Sequence, residues 1–379
     1  MKIASKSPEN GAPSMEDPGR PHPAGPASPA SRLRSAFSGA LSLCRSELGY
    51  RSGLYRLAAR AYAGLGIVFM LHRVAQPGQP ILSPGYTVSL DVLEDTLQTV
   101  ERLGWEMVDL DEAARRLAEP RTGRRFACFT FDDGYLDNLE LALPLFRKYN
   151  VPFAVSLTIA ALDRTLFSWW GGLEELVLNQ PLIDVPATDG LAAMKLSTRN
   201  FAEKQAACAM LDTTSHRMGD RFFSVLGELF DRYQVDLRRL VERDTLSVEQ
   251  ARTLAADPLV TIASHCLTHS RLADLSETEV RREFTESRRL LEDWTGKPVH
   301  HLVYPYGSRA ACGRREFALA REAGYKTAFT TRRGNIFAEH RDRTFSLPRR
   351  NIPLSRVECR EKLFGIEALR LGQPRIQIE

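Results

Sequence analysis

The chain has 379 residues, 43% hydrophobic and 26% charged, with a formal net charge of +4. These are ordinary values for a globular chain able to bury a large core. So small a charge, with no concentrated basic stripe, argues against a nucleic-acid partner. The six cysteines, at 44, 128, 208, 266, 312 and 359, form no CxxC pair, which argues against a disulfide framework and for a reducing compartment. No apolar run approaches 18 residues, and residues 1–34 lack the apolar core of a secretory signal, so a cytoplasmic location is expected.

Residues 1–34, rich in Pro, Ser, Ala and Gly, bury too little apolar surface to offset their ordering entropy and read as disordered. Residues 35–64 follow as an amphipathic helical lead-in. Across 32–64, Arg34, Arg45, Arg51, Arg56 and Arg60 alternate with Leu, Phe and Tyr. Such a segment either packs on its own domain or makes peripheral contact with a membrane.

From residue 66 strands and helices alternate. Gly66–Leu71 reads as a buried strand ending at His72, and Ser89 caps a helix to about Leu103. Glu106-Met107-Val108 reads as a short strand, and Asp111 opens a helix to about Glu119. Arg125–Phe131 is a strand. Leu139–Tyr149 is a helix in which Pro144 imposes a kink or a late start. Phe153–Leu157 is the next strand. The rhythm resumes with a strand at Leu259–Ala263, a capping box of Ser276 and Glu279, a strand at His301–Tyr304, a helix at Arg314–Ala323 and a strand at Lys326–Thr330. Such alternation predicts an α/β fold, a distorted (β/α)7-8 barrel with a helical insertion at about 160–250. The domain is expected over 65–360, with a C-terminal tail at 361–379.

Barrel active sites collect at the C-terminal strand ends, and three polar clusters fall there. Thr130-Phe131-Asp132-Asp133-Gly134 follows an apolar strand. Adjacent carboxylates repel unless a cation or shared proton intervenes, although Asp-Gly is also a common solvated turn. Ser264-His265-Cys266-Leu267-Thr268-His269 follows another strand, so its two imidazoles sit on a loop and can turn toward one ion. Two structural histidines are the plainer alternative. Two imidazoles and a carboxylate form a three-ligand site suited first to Zn²⁺, and also to Ni²⁺, Co²⁺, Fe²⁺ or Mn²⁺. The third cluster, Val303-Tyr304-Pro305-Tyr306-Gly307, is by itself only a turn signal.

In this order the clusters resemble the polysaccharide deacetylase family, the NodB homology domain of carbohydrate esterase family four. The TFDDG motif matches residues 130–134 throughout, and H(S/T)xxH matches His265 and His269 with Cys266 in the Ser/Thr position. RxPY matches only Pro305 and Tyr306, because Val303 replaces the arginine. The resemblance spans roughly residues 66–355. It implies a hydrolase removing N-acetyl groups, with one divalent metal on Asp133, His265 and His269, and Asp132 as general base. It places the oxyanion partner near Pro305 and Tyr306.

The usual late Leu-x-His acid is absent. Phe69–Val74 resembles the opening strand of a permuted branch with an early histidine, which makes His72 the candidate acid. Leu347-Pro348-Arg349 resembles that branch's late stretch, where Arg349 would steady Asp132 unless the arginine run is a solvated face. Trp169 and Trp170 either line a sugar groove or pack in the insertion. The implied partner is an N-acetylated oligo- or polysaccharide, free or lipid-linked. Two further functions remain open: metal-dependent hydrolysis of another non-peptide C–N bond, and a non-catalytic carbohydrate-binding relic.

Overall fold

The structure, a computed structural model, describes residues 50, 54–119, 123–370 and 376. The expectations for residues 1–34, for 35–49 of the lead-in and for most of the tail beyond 370 lie outside them. Within the lead-in, Leu54–Tyr62 is helical. No helix among the described residues is long and apolar enough to cross a membrane.

Seven parallel strands close a barrel: β1 Gly66–Leu71, β2 Phe126–Phe131, β3 Phe153–Leu157, β4 Val260–Ser264, β5 His301–Val303, β6 Thr327–Arg333 and β7 Leu347–Asn351. Around the barrel β1 neighbours both β7 and β2, and the remaining strands follow in chain order. Every residue of β1, β2 and β3 is buried, as expected of parallel strands covered on both faces.

The short strand Glu106–Met107 does not become an eighth stave. It pairs with Phe126 and Ala127 at the lower half of β2, while β3 pairs with Thr130 and Phe131 at the upper half. Because β1 runs along the whole other edge of β2, the circle closes without it.

Several local expectations shift for identifiable reasons. Asp109, not Asp111, caps the helix Leu110–Ala118, accepting from the Glu112 backbone N–H. Ser89 occupies the N-cap of Leu90–Arg102, but its hydroxyl donates to the Asp91 carboxylate instead of serving the helix backbone. A π-helical turn at Asn138–Ala142 precedes the α-helix Leu143–Tyr149, so Pro144 falls in a first turn that needs no N–H from it. The arginine run at 349–350 is not a solvated face: it lies in β7 with both side chains buried. His340 is fully buried in a 3₁₀ turn, where its Nδ1 accepts from the Phe337 N–H.

Between β3 and β4 the chain adds helices α1 Trp169–Asn179, α2 Phe201–Met218, α3 Asp220–Arg232 and α4 Leu237–Asp244. The helical reading of this stretch omits an antiparallel hairpin, Leu182–Val185 with Met194–Ser197. These elements share a core of Leu173, Val177, Ile183, Phe222, Leu226 and Leu229. After β4, helix α5 Glu277–Thr295 begins with the expected capping box, Ser276 and Glu279 bonding reciprocally.

Candidate active site

Strand register brings the site residues together. Leu71 pairs with Phe131, and the Asp132 N–H donates to the Leu71 carbonyl, so His72 and Asp132 emerge side by side above β1 and β2. Leu157 pairs with Ser264, and the His265 N–H donates to the Leu157 carbonyl, placing His265 above β4. The loop after β5 carries Tyr306. All lie at the C-terminal mouth of the barrel.

Asp133 Oδ1 faces His265 Nε2 at 3.4 Å and His269 Nε2 at 3.3 Å. Among the described residues this is the one group of three or more His, Cys, Asp or Glu side chains close enough to share an ion. Asp133 Oδ1 is buried without a hydrogen-bond partner. A charged oxygen left so would cost several kcal/mol, on the order estimated for unpaired buried ions. The donor set and the unpartnered oxygen therefore fit a divalent metal. Burial works against the Asp133 charge, but the two facing imidazoles hold its carboxyl well below the usual range. His265 Nδ1 lies 2.7 Å from the Val303 carbonyl, a contact that selects the tautomer offering Nε2 to an ion.

Asp132 is held differently. Arg349 Nη1 and Nη2 donate to its two carboxylate oxygens, each at 2.8 Å, and the Ser156 hydroxyl donates to Oδ1 at 2.8 Å. Arg349 is itself fixed by donating to the Thr130 hydroxyl and the Thr330 carbonyl. Burial raises the Asp132 pKa, but the Arg349 guanidinium, by its charge and its hydrogen bonds, together with His265 and His72 more than offsets it, leaving the carboxyl below its ordinary value. His72 Nε2 is 3.9 Å from Asp132 Oδ2, and its buried Nδ1 has no partner. Burial, with the Arg349 and His265 charges, lowers the His72 pKa more than Asp133 and Asp132 raise it.

The loops are strained at the site. Asp133, Cys266, His269 and Tyr306 have φ of 71°, 67°, 59° and 60°, a region that costs a non-glycine residue roughly 1–3 kcal/mol. Part of that cost is met by Glu283 on α5. Its buried carboxylate accepts from the Leu267 and Thr268 N–H groups at 2.7 and 3.1 Å and from the Thr268 hydroxyl at 2.7 Å. Cys266 is buried and outside the donor group.

Glu283 and Ser156 escape a motif-based reading. Glu283 sits in a helix whose many charges look alike, although the 3.6-residue period places it on the buried face with Val280, Phe284, Ser287 and Leu291. Ser156 is one polar residue in an apolar strand, and that was the available signal.

Trp169 and Trp170 pack in the insertion and also border the cavity at the site. Trp169 is buried in the insertion core and donates to the Tyr306 hydroxyl at 3.3 Å. The half-buried Trp170 donates to the Tyr135 hydroxyl at 2.6 Å, and its ring centroid lies 4.9 Å from that of His269. Both border a cavity of about 450 Å³ that also contains Asp132, Asp133, His72, His265 and His269. Pro305 packs no part of this cavity wall, whereas Tyr306 does.

Comparison with known proteins agrees with this geometry. Residues 208–328, which include the second and third motifs but not the first, match the family described as polysaccharide deacetylase. No curated protein matches the sequence. Among solved structures, the chain is similar to the Streptococcus pyogenes deacetylase PplD in complex with acetate. That likeness has 15% identity and a TM-score of 0.50, covering 76% of this chain and 92% of PplD. It is similar also to IcaB from Ammonifex degensii, with 14% identity and a TM-score of 0.50, covering 79% of this chain and 97% of IcaB. At such identities the structural likeness is one of fold. The family match over residues 208–328 and the likeness of fold together make the chain similar to the polysaccharide deacetylases.

Proposed function

We propose that the chain is a metal-dependent hydrolase removing an N-acetyl group from a sugar. The observation that carries this reading is the Asp133, His265 and His269 cluster beside a second, separately held carboxylate. Those three side chains would hold the ion. When bound, a divalent ion polarises the acyl carbonyl and acidifies a water.

The remaining roles fall to the protein. Asp132 accepts the proton of the attacking water, and Arg349 with Ser156 keeps its carboxylate aimed while it does so. His72, 3.9 Å from that carboxylate, delivers a proton to the departing amine. Burial lowers its pKa, which favours giving that proton up. The Tyr306 backbone N–H, in the loop at the barrel mouth, donates to the developing oxyanion in this reading. Trp170 presents an apolar ring beside His269 for the sugar.

Zn²⁺ suits two imidazoles and a carboxylate best, with Co²⁺ and Ni²⁺ as workable replacements. The test is acetate release from N-acetylated sugars with metal present, after chelation, and after metal is restored. Release that follows the metal supports the reading. Release untouched by thorough chelation contradicts it.

A further inference from the structure

The insertion does more than flank the cavity; it makes contact with three separate loops that border it. Toward the segment after β1, the Tyr86 hydroxyl lies 3.5 Å from His216 Nε2, Gln205 Nε2 donates to the Ile81 carbonyl at 3.1 Å, and Ser83 Oγ is 3.6 Å from Cys208 Sγ. Toward the loop after β5, Trp169 meets the Tyr306 hydroxyl. Toward the loop after β2, Trp170 meets the Tyr135 hydroxyl. A polymer bound through one of its internal units needs a cleft open at two ends. These contacts leave a walled cup, and about 450 Å³ falls at the small end of the roughly 300–1,000 Å³ typical of small-molecule pockets.

The lining chemistry suits hydroxyl groups. Asp212 and His216 sit one turn apart on α2, 3.5 Å from each other, and both face the cavity with Glu174 of α1. Carboxylate and imidazole acceptors, with the Trp170 ring also lining the cavity, match a pyranose that offers O–H groups at its edge and C–H groups on its face.

Resting on the deacetylase reading, we infer that the cup takes a single terminal N-acyl sugar unit, a small glycoside or a chain end, and that Asp212 and His216 bind its hydroxyls. Internal units of a polymer are excluded by the seam between α2 and residues 81–86.

The experiment compares the methyl glycoside of N-acetylglucosamine with a long soluble polymer of the same sugar whose ends are chemically blocked. Acetate release is measured with the metal-loaded protein, and binding is measured by calorimetry with Asp132→Asn. Release from the glycoside with none from the blocked polymer is expected, and Asp212→Ala should raise KM about tenfold with kcat within about twofold, as loss of a substrate hydrogen bond does. Equal release per acetyl group from the blocked polymer would overturn the inference while leaving the deacetylase reading intact. If neither substrate releases acetate, the deacetylase reading falls, and binding then decides the cup. The inference survives if only the glycoside binds, and it fails if the polymer binds as well or neither does. An unchanged KM in Asp212→Ala would remove the hydroxyl contact.

Discussion

Arg349 and Asp132, separated by 217 positions in sequence, form a bidentate pair with two contacts of 2.8 Å in which both side chains are buried. The pair joins β7 to the end of β2 across the barrel mouth. The RxPY comparison leaves the arginine position at Val303 vacant, and the guanidinium reaches the Asp132 carboxylate from a different strand. Removing one member leaves a charge buried without its counterion, which typically costs about 3–5 kcal/mol.

Arg349→Ala is therefore expected to lower kcat by at least about a hundredfold and to lower stability by several kcal/mol. Arg349→Lys should recover part of the stability but less of the rate, because an ammonium cannot hold both oxygens. Steady-state kinetics and denaturant titration check this. Deacetylation by Arg349→Ala at nearly the parental rate would remove Arg349 from the mechanism.

The same pair sets a pH dependence. In the fold the Asp132 carboxyl is held below its ordinary value of 3.8, because Arg349, with His265 and His72, outweighs the effect of burial. A depressed carboxyl contributes stability that is full above the unfolded value and is lost as pH falls through the folded value. The parent should thus resist mild acid, whereas Arg349→Ala should lose both stability and activity at a higher pH. Melting temperature against pH for the two proteins gives the comparison. Superimposable acid limbs would contradict it.

His269→Ala should abolish tight binding of one Zn²⁺ equivalent, measured as metal content after dialysis. The parent's melting temperature should rise with added Zn²⁺, as expected when a ligand binds only the folded state, and the variant's should not. A variant that retains a stoichiometric ion would move the metal away from the Asp133 cluster.

Glu283 acts through the loop it holds, not on the ion. Glu283→Gln keeps the shape and loses the charge that accepts three hydrogen bonds around Leu267 and Thr268. It should weaken metal affinity by about 10- to 100-fold, the range seen when groups supporting metal ligands are changed. A variant that merely melts earlier with unaltered metal affinity would make Glu283 structural only.

The sequence made the barrel legible because buried parallel strands are continuous apolar runs, as in Gly66–Leu71, Phe126–Phe131 and Phe153–Leu157. It hid β7, whose Leu347-Pro348-Arg349-Arg350-Asn351 contains two arginines that signal surface unless their buried partners are known. Arg350 finds Asn335 and Glu367, 15 and 17 positions away, and Arg349 finds Asp132, 217 positions away. The motifs at 130–134 and 265–269 were visible because carboxylates and histidines stand directly at strand ends. The cup was not, because contacts such as Tyr86–His216 and Trp169–Tyr306 join segments more than 100 residues apart.

The most direct measurement compares acetate release by the parent and by Asp132→Asn, each loaded with one equivalent of Zn²⁺ and shown to retain it. The proposed mechanism predicts release by the parent and a loss of about 10²–10⁴-fold in the variant, the range for a general base, with metal content unchanged. A variant that holds its ion and still releases acetate at the parental rate would contradict the role given to Asp132, and with it the proposed mechanism.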